Sequence, residues 1–172
     1  MKRLWAPWRM QFVSGGNKEC IFCVMPRKDD KSALILYRGE KSFVIMNRFP
    51  YNNGHLMVAP FRHVKELGEL AEEEMAEMMR LVSMSIEALK KSIRPAAFNV
   101  GANIGRSSGA GFEHLHMHVV PRWDGDTNFM PVLGETKVIP EYLEETYDKL
   151  VKAFPRSTGQ RPFTPGSPSP FR

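Results

Sequence analysis

A chain of 172 residues, 42% hydrophobic and 25% charged, has the composition of a globular protein and the length of one domain with a buried core. It holds no apolar run of membrane-spanning length, and its opening MKRLWAPWRM lacks the apolar stretch of a secretory signal, so a cytoplasmic protein without membrane attachment is expected. The formal charge of +5 favours anionic partners, either nucleic acid or phosphate-bearing small molecules, and bears on steering rather than on fold.

Residues 1–19 read as an N-terminal arm. It ends at the chain's only two cysteines, Cys20 and Cys23, in an irregular CIFC stretch. In a reducing compartment such a pair is a metal or redox pair rather than a structural disulfide. Residues 33–37 (ALILY) and 42–47 (SFVIMN) read as strands joined by a Gly-containing hairpin turn. FPYNNG is a loop by its Pro, Asn and Gly content, and residues 55–60 (HLMVAP) form a third strand. From Leu67 to Ile93 the apolar positions recur at steps of three and four, an amphipathic helix with acidic residues at its start and KKSIR at its end, matching the helix dipole. Its methionines read as core packing rather than ligands.

AAFNVGAN is a fourth strand, IGRSSGAG a Gly/Ser loop, and HLHMHVVP a fifth strand. A second helix is expected over residues 139–154, with Pro140 in its first turn and Pro155 past its end. Residues 156–172, rich in Pro, Ser and Gly, read as a flexible tail, leaving residues 20–155 as the folded domain. Consecutive strands with short links predict an α+β domain: an antiparallel sheet of about five strands, with the long helix and the C-terminal helix on one side.

Three of the five histidines, His114, His116 and His118, alternate along the fifth strand. Strand geometry would aim them at one face and Leu115, Met117 and Val119 at the other. Three uses compete: histidines without chemistry, one metal held by all three, or a nucleophilic imidazole supported by its neighbours. In the second use the outer members would be about 6.6–6.8 Å apart at strand rise. The preceding loop supports the third. Its backbone N–H groups, the hydroxyls of Ser107 and Ser108 and the charge of Arg106 make an anion-binding nest, where donors would stabilise charge building on phosphoryl oxygens.

HLHMHVV resembles the signature of the HIT (histidine triad) superfamily. The resemblance runs from about Cys20 to Phe154, with SFVIMNRFPYNNGHLMVAP similar to the family's nucleotide-binding hairpin and FNVGANIGRSSGAG to its phosphate loop. LWAPWRM and PRWDGDTNF resemble the bacterial branch that acts on diadenosine polyphosphates. The resemblance implies that His116 attacks the α-phosphorus of a nucleotide, with His118 bonding the phosphate or scissile oxygen. It implies that Asn47 contacts the ribose and that Phe43, Ile45 and Met57 line the base pocket. His55 lies near the active site, and Asn103, Ser107 and the backbone of Gly109, Ala110 and Gly111 bind phosphates. Ala110 stands where the family often has a glutamine, so the phosphate contacts would fall to backbone N–H groups and Ser107. Members with C-x-x-C near the start complete a zinc site with two histidines, which implies Cys20, Cys23, His63 and His114, a closed structural centre. The family also implies a homodimer. No organic cofactor is expected.

The activity so implied is cleavage of a nucleoside polyphosphate, foremost diadenosine tetraphosphate, through a nucleotidyl-histidine intermediate with water or inorganic phosphate as acceptor. Hydrolysis of nucleoside phosphoramidates is the alternative within the fold. A basic nucleic-acid-binding protein and a metal-dependent hydrolase are the alternatives outside it. The first of these lacks a recognisable nucleic-acid module or aromatics interleaved with a basic stripe.

Overall fold

In a computed structural model the described residues are 19–109, 111–126 and 139–157. Most of the expected N-terminal arm and of the tail, together with Ala110, lies outside them. Five strands form one antiparallel sheet: β1 (Ile35–Arg38), β2 (Ser42–Met46), β3 (Leu56–Pro60), β4 (Ala97–Ala102) and β5 (Met117–Arg122). Their spatial order is β1-β2-β3-β5-β4. The last strand is thus inserted between β3 and β4, pairing Met57 with His118 and Val100 with Val119. β5 therefore lies inside the sheet, its neighbours fixing its register on both edges.

The helices are α1 (Ile21–Val24), α2 (Asp30–Ala33), α3 (Glu72–Ile93) and α4 (Leu143–Leu150). α3 and α4 pack on one face, where Val44, Met46, Leu56, Val58 and Val119 meet Met78, Leu81, Leu89 and Leu150 in one apolar cluster. The alternate residues Phe43, Ile45, Met57 and Ala59 belong to a second cluster on the opposite face, closed by Phe22 of α1. The period-two alternation of strands distributes these side chains between the two clusters.

Several boundaries differ from the sequence expectation. The stretch expected to be irregular at the cysteines contains a helical turn, because the N–H groups of Cys23 and Val24 both donate to the Cys20 carbonyl. β1 starts at Ile35 rather than Ala33, because the Asp29 carboxylate accepts from the N–H groups of Lys31 and Ser32 and caps a short helix. Leu34 then turns the chain at φ 61°. α3 starts at Glu72 rather than Leu67, because the Glu74 carboxylate reaches back to the N–H of Ala71 while residues 67–69 form a separate 3₁₀ turn. α4 starts at Leu143, leaving Pro140 ahead of the helix rather than in its first turn.

At its far end, α3 stops where Arg94 enters the left-handed region and donates its N–H to Leu89. The loop before β3 passes close to this end: a Cβ at Gly54 (φ +72°) would fall 2.6 Å from Ile93 Cδ1 and 3.0 Å from Leu89 Cδ2. Glycine there answers both backbone and space. Among the described residues no helix is long and apolar enough to cross a membrane.

Candidate active site

Only His118 of the three alternating histidines lies within β5; His114 and His116 precede it. A strand running from His114, with all three imidazoles set by its pleat, is therefore corrected. Residues 114–116 are held instead by the segment after β3. The Leu115 N–H donates to the Val64 carbonyl at 2.7 Å, and the His114 ring bonds the Pro60 carbonyl. The rings nevertheless gather. His116 and His118 meet edge to face at 4.7 Å between centroids, and Phe22 lies 5.3 Å from His114 and 4.5 Å from His116.

Hydrogen bonds assign each ring its tautomer, since a neutral imidazole has one donor and one acceptor nitrogen. His116 Nδ1 is 2.7 Å from the His114 carbonyl, so Nδ1–H donates and Nε2 carries the lone pair. Burial pushes the His116 pKa below the ordinary histidine value, against the opposing pull of that carbonyl, so the ring is held neutral. His55 Nδ1 receives the Tyr51 N–H at 3.1 Å and therefore accepts. Its Nε2–H then donates to His118 Nδ1 at 2.9 Å, which leaves His118 with its proton on Nε2. The pair at the centre thus presents one basic nitrogen and one N–H donor, the combination that attack on a phosphoryl group requires.

Beside this pair opens a cavity of about 340 Å³, within the range of small-ligand sites. His116 and His118 line it, as do Ile45, Asn47 and Met57 of the hairpin. Asn103, Gly109 and Gly111 line it from the Gly/Ser loop. Asn47 is held by its own loop, its Oδ1 accepting from the Phe49 N–H at 2.9 Å and its Nδ2 lying 3.3 Å from His55 Nδ1.

Phe43, His55 and Ser107 do not line this cavity, although His55, expected near the active site, reaches it through His118. Phe43 is fully buried and stacked on Phe61 at 5.1 Å, beneath the cavity lining rather than in it. His55 is buried behind His118. Ser107 is exposed on the 3₁₀ turn of residues 106–108, and the Ser108 hydroxyl donates to the Gly105 carbonyl. Sequence reasoning missed Ile21, Phe22, Met25, Tyr51 and Phe112, which also line the cavity. The signal for Phe22 was present as the aromatic residue between the two cysteines.

A second group of side chains converges beside the first. The ligand atoms of Cys20, Cys23, His63 and His114 all lie within 4.8 Å of one another. Cys20 Sγ is 3.3 Å from His114 Nδ1, Cys23 Sγ is 3.6 Å from the same nitrogen, and Cys23 Sγ is 3.3 Å from His63 Nδ1. His114 donates its Nε2–H to the Pro60 carbonyl at 3.0 Å, so its lone pair points at the sulfurs. Burial is the main cause that lowers His114 to about 4. Burial followed by the neighbouring Cys20 raises Cys23 to about 11.

The cavity thus has a neutral, oriented imidazole at one wall and a glycine-rich loop at another. Residues 28–125, more than half of the chain, match the HIT domain, and the chain belongs to that family. It is an enzyme of the nucleotide hydrolase and transferase kind. It is 40% identical over 167 residues to a Mycobacterium tuberculosis protein named AP-4-A phosphorylase, covering 91% of this chain and 86% of that one. It is 30% identical over 128 residues to the uncharacterized HIT-like protein MJ0866 of Methanocaldococcus jannaschii, covering 73% of this chain and 97% of the relative. Its fold matches that of a Zn-bound histidine triad family protein from Mycobacterium smegmatis with a TM-score of 0.65 at 25% identity, over 78% of this chain and 92% of that one.

Proposed function

We propose that the protein cleaves diadenosine tetraphosphate by nucleotidyl transfer through His116, with inorganic phosphate as the acceptor. The observation that carries this reading is the bond from His116 Nδ1 to the His114 carbonyl, which leaves the Nε2 lone pair for attack. In the first step Nε2 forms a bond to an α-phosphorus. The bond from that phosphorus to its bridging oxygen breaks, and the electron pair leaves with ATP. The His118 Nε2–H donates a hydrogen bond to the oxygen that gains charge. A polyphosphate leaves as an anion, so the donor need not give up its proton. In the second step a phosphate oxygen attacks, the N–P bond breaks, its electron pair returns to Nε2, and ADP forms. The similarity to the phosphorylase named above supports phosphate over water.

Ile45 and Met57 are read as the base contacts, Asn47 as the ribose contact, and Asn103, Gly109 and Gly111 as the phosphate side of the cavity. Incubation with diadenosine tetraphosphate, with and without phosphate, tests the reading. ADP plus ATP is expected. AMP plus ATP would make water the acceptor, and absence of turnover would overturn the assignment in favour of nucleoside phosphoramidates.

Cys20, Cys23, His63 and His114 are proposed to hold one zinc ion. Bonds of about 2.3 Å to sulfur and 2.0–2.1 Å to nitrogen in a tetrahedron give S···N edges of about 3.5 Å, which the separations of 3.3–3.6 Å match. Bound there, zinc would supply cross-linking of the N-terminal turn to the histidine segment and no open position for substrate. Elemental analysis of protein purified without chelators should give one zinc per chain, and Cys20→Ser should lose it. Two cysteines read as metal ligands suit the reducing cytoplasm. A homodimer is proposed on the family resemblance, and the exposed Met75, Met79 and Val100 offer apolar surface for it. Light scattering at micromolar protein should report twice the chain mass.

A further inference from the structure

We propose that Phe22 is a positioning residue for the nucleophile, its ring seated by the two-cysteine turn on the face of the His116 imidazole. The inference rests on His116 being the nucleophile. The two rings are 4.5 Å apart between centroids and tilted by 30°. Phe22 is only 1% exposed and belongs to the apolar cluster with Ile35, Ile45 and Met57, whose packing restrains its ring.

The backbone carrying Phe22 is fixed from both ends. On one side Cys20 and Cys23, one helical turn apart, close on His114 Nδ1. On the other, the buried guanidinium of Arg38 donates to the carbonyls of Pro26 and Lys28 and pairs with Asp30. His116 is therefore held three ways: by Phe22 on its face, by His118 edge-on, and by Nδ1–H to the His114 carbonyl. The hydrogen bond sets the tautomer but leaves the ring free to rock about it. The close contact with the Phe22 ring restricts that freedom. Attack on phosphorus needs the Nε2 lone pair in line with the leaving oxygen, and misplacement by about 1 Å can cost about 100-fold in rate.

The turn that would carry two metal ligands is thus also the turn that orients the attacking nitrogen. A cavity wall alone would need an apolar side chain at position 22. An orienting surface needs a rigid plane.

Phe22→Leu and Phe22→Met keep apolar volume and remove the plane. In single-turnover experiments at saturating diadenosine tetraphosphate, both are expected to form the nucleotidyl-His116 adduct about 10- to 100-fold more slowly than the unmutated protein. Phe22 also lines the cavity, so AMP binding is measured alongside, and the loss of adduct rate at saturating substrate should exceed the loss of AMP affinity. Phe22→Tyr, which retains the ring, should recover most of the adduct rate.

The unmutated protein provides a second readout that needs no variant. The His116 Nδ1–H should give a proton resonance protected from solvent exchange, with cross-peaks from the His116 ring to Phe22. That resonance should broaden in either variant. Adduct formation within twofold of the unmutated rate in a folded Leu or Met variant, with AMP binding weakened instead, overturns the inference and leaves Phe22 a cavity wall. So does absence of the cross-peaks in the unmutated protein. An unmutated protein that forms no adduct on His116 overturns the proposed chemistry itself, a separate outcome.

Discussion

The two faces of the sheet are built from the same strands and do opposite work. On the helix-covered face Val44, Leu56, Val58 and Val119 are fully buried against α3 and α4. On the other face the neighbouring residues Ile45, Met57 and His118 line a cavity. Val119 and His118 are adjacent in sequence, yet one is sealed in the core and the other lines the cavity. A rigid face thus supports the site by strands one residue out of phase, and binding groups gain precision from packing they do not themselves provide. Mutations on the helix face should therefore change stability with little effect on chemistry, and those on the cavity face the reverse.

The sharpest test of that division is His116→Ala, expected to reduce turnover of diadenosine tetraphosphate by more than about 10⁴-fold while AMP binding, read by calorimetry, stays nearly unchanged. His118→Ala should be milder. It removes one donor to the developing charge, a loss of about 10²–10³-fold in kcat, and the adduct should still map to His116. On the opposite face, Leu89→Ala should destabilise by about 2–5 kcal/mol in urea unfolding, with kcat at low temperature within about twofold of the unmutated value. A larger loss of kcat would mean that the faces are coupled.

Glu77 probes the edge between core and hairpin. Its carboxylate accepts the N–H groups of Glu40 and Lys41 at 2.8 and 2.7 Å, closing the β1–β2 turn against α3. Glu77→Ala should cost about 1–3 kcal/mol by stranding those two donors, again with kcat preserved. The smallest effect concerns pH. His116 must be neutral to attack, and burial lowers its pKa below the ordinary value of about 6.5. Its proton is therefore taken up only at more acidic pH, and kcat/KM should fall less than about twofold between pH 8 and 6.5. For stability the sign is the same. The unfolded chain protonates first as pH drops, so the metal-free protein should lose stability between about pH 6.5 and the value of about 4 to which His114 is lowered.

The division between the faces was partly legible in the chain. The apolar runs SFVIM and LMVAP marked two strands, and both faces of each proved buried. The rule of two could not say which face would receive helices and which a ligand. The same local reasoning overextended β5. Its pattern continues back to His114, but β3 ends at Pro60, and the chain there bonds Val64 and Pro60 in place of a ladder partner. Phe43 was expected in the pocket on the family resemblance, yet it stacks on Phe61 and does not line the cavity.

By itself the sequence determined the five strands and the two longer helices, the proximity of three imidazoles, the Gly/Ser loop beside them and the spacing of the two cysteines, because each is a local pattern. Only the tertiary structure decided the roles of the rings. Which nitrogen of each histidine carries its proton depends on partners far along the chain: Pro60 for His114, His55 for His118, and the His114 carbonyl, held in place by residues 60–64, for His116. The same holds for Phe22, 94 positions from the ring it covers in a chain whose local pattern marks it only as an apolar residue between two cysteines. Hydrogen-bond direction and ring contact are set by positions in space, and one-dimensional periodicity carries no information about which distant segment folding will bring there.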